Sequence, residues 1–153
     1  MLIRDELKEA IADAEGAPED VVASMRMGAA AYAVLQLVVR RVIEAEQAAL
    51  IESNFRRGLS EQYLASLVAS ADARLVHCTA PHDVLRERYS ERFARGERHP
   101  AHLDDARAGA LDDDLHTGRF EPLELGIPTL VVHTDGAYRP TLDVIVDFCR
   151  GTA

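Results

Sequence analysis

Lysine and tryptophan are scarce in this 153-residue chain: Lys8 is the only lysine, and tryptophan is absent. The other basic residues are arginines, yet Asp and Glu outnumber them and the net charge is −9. Such a charge argues against a general nucleic-acid or anionic-membrane surface, although a local basic patch is still compatible with it. With 48% hydrophobic and 28% charged residues, the composition is that of a globular domain.

Cysteines and long apolar runs are also few. Cys78 and Cys149 both lie in apolar stretches, so we expect two buried free thiols in a reducing compartment. The longest apolar run, 28–39, is interrupted by Gln36 and is shorter than the roughly 18 residues that span a bilayer. The first residues turn charged at Arg4, which is not typical of a signal peptide. We therefore expect a cytoplasmic protein with no membrane or nucleic-acid partner.

Short apolar runs alternate with helical patterns along the chain. This order predicts one α/β domain over 1–153, built on a parallel sheet with flanking helices. The expected strands are 48–53, 74–79 and 128–134, and residues 1–3 are expected to be the end of a further strand. The strands at 48–53, 74–79 and 128–134 should be neighbours in one sheet. The segment Pro18-Glu19-Asp20 predicts the start of a long second helix that runs to about Gln47. We expect the open sheet edge to be covered by this helix or by a second copy of the chain, as in a homodimer. The polar stretch 96–126 is predicted to be an excursion, with a short helix around 103–111.

Carboxylates follow three of the predicted strands. Asp5 comes after the first strand, Glu52 with Asn54 ends the second, and Asp135 follows the last. In parallel sheets the working groups lie just beyond the carboxyl ends of the strands, so these positions are candidates for a site. Capping and turn formation are the alternative reason for Asp and Glu at such places.

Arginines are concentrated between positions 86 and 98. Arg88, Arg92 and Arg95 recur at a spacing that places them on one helical face, beside the apolar stripe. Guanidinium forks at the margin of a buried face suit phosphate oxygens. The alternative is a solvated helix, in which Glu91 pairs with the arginines one turn away.

Histidines offer weaker candidates. His99 and His102, in the sequence HPAHLDD with two aspartates, form a weak metal-binding pattern because a proline interrupts it and no cysteine accompanies it. His77 and His133 lie within predicted strands, where we expect core positions.

The order of these segments resembles a family of P-loop kinases that includes chloramphenicol phosphotransferase-like and zeta-toxin-like enzymes, often described as predicted kinases or ATPases. The resemblance is carried by LIRDELKEAI, LIESNF, LVHCTAP, RERYSERFARGERH and VVHTD. It covers nearly the whole chain, and it implies a three-layer α/β fold and ATP-dependent phosphorylation of a small molecule bearing an acceptor hydroxyl.

The resemblance also implies roles for the acceptor side of such a site. Asp5 would contact the acceptor hydroxyl and act as general base. Arg88 and Arg92 would neutralise the transferring phosphoryl group as lid residues, which is most of what phosphoryl transfer requires. Arg95 and Asn54 would bind substrate or phosphate.

On the nucleotide side the resemblance implies Mg²⁺ and ATP. Glu52, which would also contact substrate or phosphate, would hold Mg²⁺ through water, and Asp135 and Tyr138 would lie near the adenine. The loop GxxxxGK[ST] that cradles phosphates in this class is absent from the sequence, since Lys8 has no flanking glycines. The first strand and phosphate loop of the class are therefore missing, and we expect a chain that is inactive as it stands. Three readings stay open: a truncated kinase, a degenerate regulatory homologue, and a module that binds a phosphorylated ligand without turnover.

Overall fold

The computed structural model describes residues 1–96, 98–103 and 112–152. In chain order the elements are β1 (Leu2–Ile3), α1 (Arg4–Glu15), α2 (Val21–Glu44), β2 (Ile51–Glu52), α3 (Glu61–Val68), β3 (Leu75–Thr79), α4 (His82–Ala94), a 3-10 turn (Pro100–His102), β4 (Thr129–His133) and α5 (Leu142–Arg150). Residues 112–116 are also helical. The predicted helix around 103–111 falls almost entirely outside the described residues, and that prediction is untested.

The strands form two small parallel sheets. β1 pairs with β2, with Ile3 opposite Glu52, and β3 pairs with β4 from Leu75 opposite Thr129 to Thr79 opposite His133. The mixed α/β architecture with parallel pairing is confirmed. The expectation that β2, β3 and β4 form one sheet was wrong, because no ladder joins β2 to β3 in the described part of the chain.

One hydrophobic core nevertheless serves both sheets. Its buried members come from α2, α3 and the segment before β4: Leu35, Val39, Leu64, Leu67 and Leu123. Ile51 of β2 and Leu75 of β3 both pack against this cluster. Side-chain packing, and not backbone hydrogen bonding, therefore connects the two pairs of strands.

Helix α2 begins at a side-chain cap, since Asp20 Oδ1 accepts a hydrogen bond from Ala23 N at 2.7 Å. One face packs on α1 and α3, whereas Val22, Met25 and Leu37 are exposed, so α2 is only partly buried. By length and composition α2 could cross a membrane, a test that core helices of soluble proteins also pass. This is weak evidence, and the cytoplasmic location stays a prediction.

The two cysteines were expected to be buried, and both are exposed. Cys78 lies on β3, and Cys149 lies on α5, a helix with no buried residue. The apolar stretches that contain them are therefore only partly covered. His133, also expected in the core, is exposed, whereas His77 is half-buried.

Candidate functional site

A pocket of about 430 Å³ lies where β1 and β2 end. Its walls are formed by Ile3, Asp5, Glu6, Glu9, Glu52, Asn54, Arg92 and Arg98. The parallel register sets Ile3 beside Glu52, so the residues that follow each strand meet at one edge of the sheet. Asp5, Glu52 and Asn54, which the sequence places at strand ends, are thus brought together.

Asp5 is held by two arginines. Arg98 Nη2 donates to Asp5 Oδ2 at 3.0 Å, and Arg4 Nη2 lies 3.3 Å from Asp5 Oδ1. Arg4 also donates to Asn54 Oδ1 at 3.1 Å and lies over the ring of Tyr32. These contacts fix the orientation of the Asp5 carboxylate, with Asn54 tied to it through Arg4.

Glu52 has an altered acidity. Partial desolvation in the pocket wall, followed by the nearby Asp5 carboxylate, raises the pKa of the Glu52 carboxyl above its ordinary 4.5. Arg4 and Arg98 act in the opposite direction, and the residue as a whole keeps contact with solvent. The Asp5 carboxylate thus makes the Glu52 carboxyl harder to ionise.

The arginines of α4 do not converge as the helical spacing suggested. Arg92 lines the pocket with Asp5 and Glu52, whereas Arg88 donates to Thr134 Oγ1 at 3.0 Å, beyond the end of β4. Arg95 is exposed and is not among the pocket residues.

Arg98 occupies the second arginine position in the pocket, and sequence analysis did not select it. Helix α4 ends at Ala94, and Gly96 adopts φ 62°, a left-handed conformation that glycine favours at helix ends. Arg98, two residues after this glycine, contacts Asp5 at the start of α1. The glycine was a readable signal that helical periodicity stops before Arg98.

Glu6 and Glu9 were also missed, because they lie on α1 and not at a strand end. His102 Nε2 lies 2.8 Å from Glu9 Oε1. Burial lowers the pKa of His102, while its hydrogen bond with Glu9 works in the opposite direction. The wall formed by α1 is therefore acidic, and Arg98 offsets part of its charge.

His99 and His102 contact carboxylates of α1 and form no metal site with them. His99 Nε2 lies 3.2 Å from Asp13 Oδ1. The described residues contain no group of three potential metal ligands, and the two aspartates of HPAHLDD lie outside them.

Asp135 and Tyr138 follow β4, at the end of the sheet formed by β3 and β4. Arg139 donates to both oxygens of Asp135, at 2.8 and 3.0 Å, and this hydrogen bonding lowers the pKa of the Asp135 carboxyl. Tyr138 is 54% exposed. Neither residue lines the pocket at β1 and β2.

The side chains do not fit the phosphates of ATP as a P-loop would. Lys8 is 1% exposed and donates from Nζ to Ser24 Oγ at 2.7 Å, so the only lysine is held inside the fold. No glycine-rich phosphate loop exists in the sequence. We therefore derive no chemical step through ATP or Mg²⁺.

The sequence matches no protein-family profile and no curated protein. A similar solved structure is the crystal structure of a "putative kinase" from Chloroflexus aurantiacus J-10-fl, at 1.70 Å resolution. The identity is 32%, the TM-score is 0.79, and the match covers 99% of this chain and 83% of the other. The fold is therefore kinase-like. The chain belongs to the same family as this Chloroflexus protein.

Proposed function

We propose that this chain carries the acceptor side of a small-molecule phosphotransferase of the P-loop kinase class. The observation that supports this most is the pocket itself, which combines Asp5 with Arg92 and Arg98 at the carboxyl ends of two parallel strands. A carboxylate that accepts a proton and guanidinium groups that bind phosphoryl oxygens are the two parts such a site needs. The substrate would be a small molecule with a free hydroxyl.

In this proposal Asp5 accepts a hydrogen bond from the acceptor hydroxyl and is the group placed to take its proton. Arg98, which donates to Asp5, turns toward the phosphoryl oxygens when these enter the pocket. The exchange frees one oxygen of Asp5 for the hydroxyl. Arg92, which also lines the pocket, stabilises the charge on the phosphoryl group.

Glu52 lines the same pocket, and it stays a proposed contact to substrate or, through water, to Mg²⁺. The proposal also keeps the adenine contacts of Asp135 and Tyr138 and the phosphate contacts of Arg88 and Arg95. It keeps the three-layer arrangement as well, which requires one more strand lying in space between β2 and β3.

A binding module for a phosphorylated ligand is the second candidate. It is favoured by the burial of Lys8 and by the absence of a phosphate loop, since neither prevents Arg92 and Arg98 from binding an anion. Both candidates use the same pocket. They differ in whether Asp5 serves chemistry or only orients Arg98.

Titration of the folded protein with sulfate and with inorganic phosphate tests the shared pocket. We expect Arg92→Ala and Arg98→Ala each to weaken binding about tenfold, since each removes charge-assisted hydrogen bonds. Arg86→Ala is the matched control, because this arginine of α4 pairs with Asp112 and does not line the pocket. The Arg92→Ala change should alter the free energy of unfolding by less than about 1 kcal/mol.

Equal affinity of the wild-type protein and the three variants would show that the pocket does not bind the anion.

The two candidate functions are distinguished by following the phosphorus-31 resonances of millimolar ATP in the presence of a panel of sugar alcohols and amino alcohols. Transfer that disappears in Asp5→Asn supports the phosphotransferase. Sulfate binding without any transfer supports the binding module.

A further inference from the structure

The segment after α4 lies along one face of α1 as a strap, defined here as residues 98–102. Three basic side chains of the strap contact three carboxylates spaced four residues apart on the helix. The pairs are Arg98 with Asp5 at 3.0 Å, His102 with Glu9 at 2.8 Å and His99 with Asp13 at 3.2 Å. Residues at this spacing share a helical face, so all three contacts lie on one side of α1.

A second, buried anchor lies beneath these pairs. Lys8 Nζ donates to Ser24 Oγ at 2.7 Å, and the Ser24 hydroxyl donates to the carbonyl oxygen of Ala101 at 2.8 Å. Ser24 and Ala101 are fully buried, and Lys8 is almost so. The relay therefore joins α1, α2 and the strap inside the fold.

The relay and His102 are buried, whereas the Arg98–Asp5 and His99–Asp13 pairs keep contact with solvent. Ion pairs that solvent reaches contribute little individually, because solvent screens them. A buried ammonium group or carbonyl that loses its hydrogen-bond partner is costly, since no water replaces that partner. Arg98 lies three residues before Ala101, so the buried bond at Ala101 limits how far Arg98 can move from the pocket.

We infer that Lys8 and Ser24 are positioning residues: they lock the strap onto α1 and so set Arg98 in the anion pocket. Neither side chain lines that pocket, and both act through the Ala101 carbonyl. The inference on Arg98 depends on the proposed anion site. The locking of the strap does not, and it can be tested separately.

The single lysine provides a direct measure of strap locking. An amine-reactive acetylating reagent can label only Lys8 and the amino group of Met1, so mass spectrometry gives the rate at Lys8 with the terminal amine as internal reference. We expect Lys8 to react far more slowly than Met1 in the wild-type protein. Ser24→Ala should raise the Lys8 rate about tenfold, because the strap loses its buried partner.

Ser70→Ala is the matched control for the lost hydroxyl. Ser70 Oγ donates to the Ser66 carbonyl at 2.9 Å on the surface of α3, so its removal should leave the Lys8 rate unchanged. Asp13→Asn loosens only the solvent-exposed pair with His99 and gives a second variant with an intact core. It should raise the Lys8 rate by a smaller factor than Ser24→Ala.

Sulfate affinity then tests the link to Arg98. Ser24→Ala should weaken sulfate binding in the wild-type background and have no further effect in the Arg98→Ala background, because it acts through that arginine. A purely structural role of Ser24 would weaken binding equally in both backgrounds and would overturn the link.

The locking of the strap and the positioning of Arg98 are overturned by different results. Rapid labelling of Lys8 in the wild-type protein, or no response to Ser24→Ala, overturns strap locking. Failure of the wild-type protein to bind sulfate overturns the proposed function and the positioning of Arg98 for it, while the labelling result still decides whether the relay locks the strap.

Discussion

At Glu52 the surroundings of a single carboxyl determine how readily it ionises. Its pKa lies above the ordinary 4.5, chiefly because atoms of the pocket wall exclude part of the solvent and because Asp5 adds a second negative charge. The folded protein therefore binds this proton more tightly than the unfolded chain does. Folding stability should fall as the pH rises from about the ordinary value through the native one.

The variant Glu52→Gln should lose this pH dependence. Relative to the wild-type protein, its free energy of unfolding should increase as the pH is raised from 4 to 7, by less than about 1 kcal/mol because Glu52 remains partly solvated. Urea unfolding of both proteins at the two pH values gives the difference directly.

Glu19→Gln serves as the control, since Glu19 is exposed and precedes α2. A Glu52→Gln difference that is the same at both pH values would mean that folding does not raise the pKa of this carboxyl.

Single residues also show how far sequence reasoning reaches into the candidate site. Asp5, Glu52 and Arg92 were selected from strand ends and helical spacing, and the structure places all three in one pocket. Arg98 was not selected, because its position depends on the turn at Gly96 and on the burial of the strap against α1. Tertiary contacts of this kind leave no periodic pattern in the sequence.

At the scale of elements, the start of α2 follows a local capping rule that can be predicted from the sequence. The segment Pro18-Glu19-Asp20 predicted a helix start, and the helix begins at Val21 with Asp20 as its cap. We expect Asp20→Ala to lower the free energy of unfolding by about 1 kcal/mol, the usual effect of removing a side-chain cap. Chemical denaturation measures this change.

Asp20→Asn is the informative companion variant, because asparagine also accepts a hydrogen bond at this position. It should retain most of the stability that alanine loses. Equal losses in both variants would show that the negative charge, and not the capping hydrogen bond, stabilises the start of α2.

The strands were harder to place in relation to one another. Their existence and parallel pairing follow from apolar runs alternating with helices, but which strand lies next to which depends on backbone hydrogen bonds between distant segments. β2 is only two residues long and pairs with β1, and Leu75 of β3 meets it only through the shared core. Hydrophobic pattern predicts burial of both strands equally well whether they form one sheet or two.

For the molecule as a whole, the fold is kinase-like while the sequence contains no GxxxxGK[ST] loop to hold a nucleotide. The Chloroflexus relative matches almost the entire chain, so the kinase-like fold does not rest on one motif. The pocket contains four carboxylates beside two arginines, a balance that disfavours a highly charged anion unless other groups neutralise it. A small anion held by Arg92 and Arg98 alone suits this pocket better than a triphosphate does.

The 153-residue chain should therefore bind ATP with Mg²⁺ more weakly than about 0.1 mM, a free energy of only ~5–6 kcal/mol. No loop amides of a GxxxxGK[ST] motif are present to cradle the phosphates, and Lys8 is engaged with Ser24 inside the fold. Calorimetric titration at fixed Mg²⁺ measures the affinity, with sulfate titrated into the same sample to show that the protein is folded and able to bind an anion. If any ATP binding is detected, sulfate should compete with it and Arg92→Ala should weaken it, because the arginine pocket would be its point of attachment. Micromolar ATP affinity that is insensitive to both would mean that the nucleotide is held elsewhere, by groups other than this pocket.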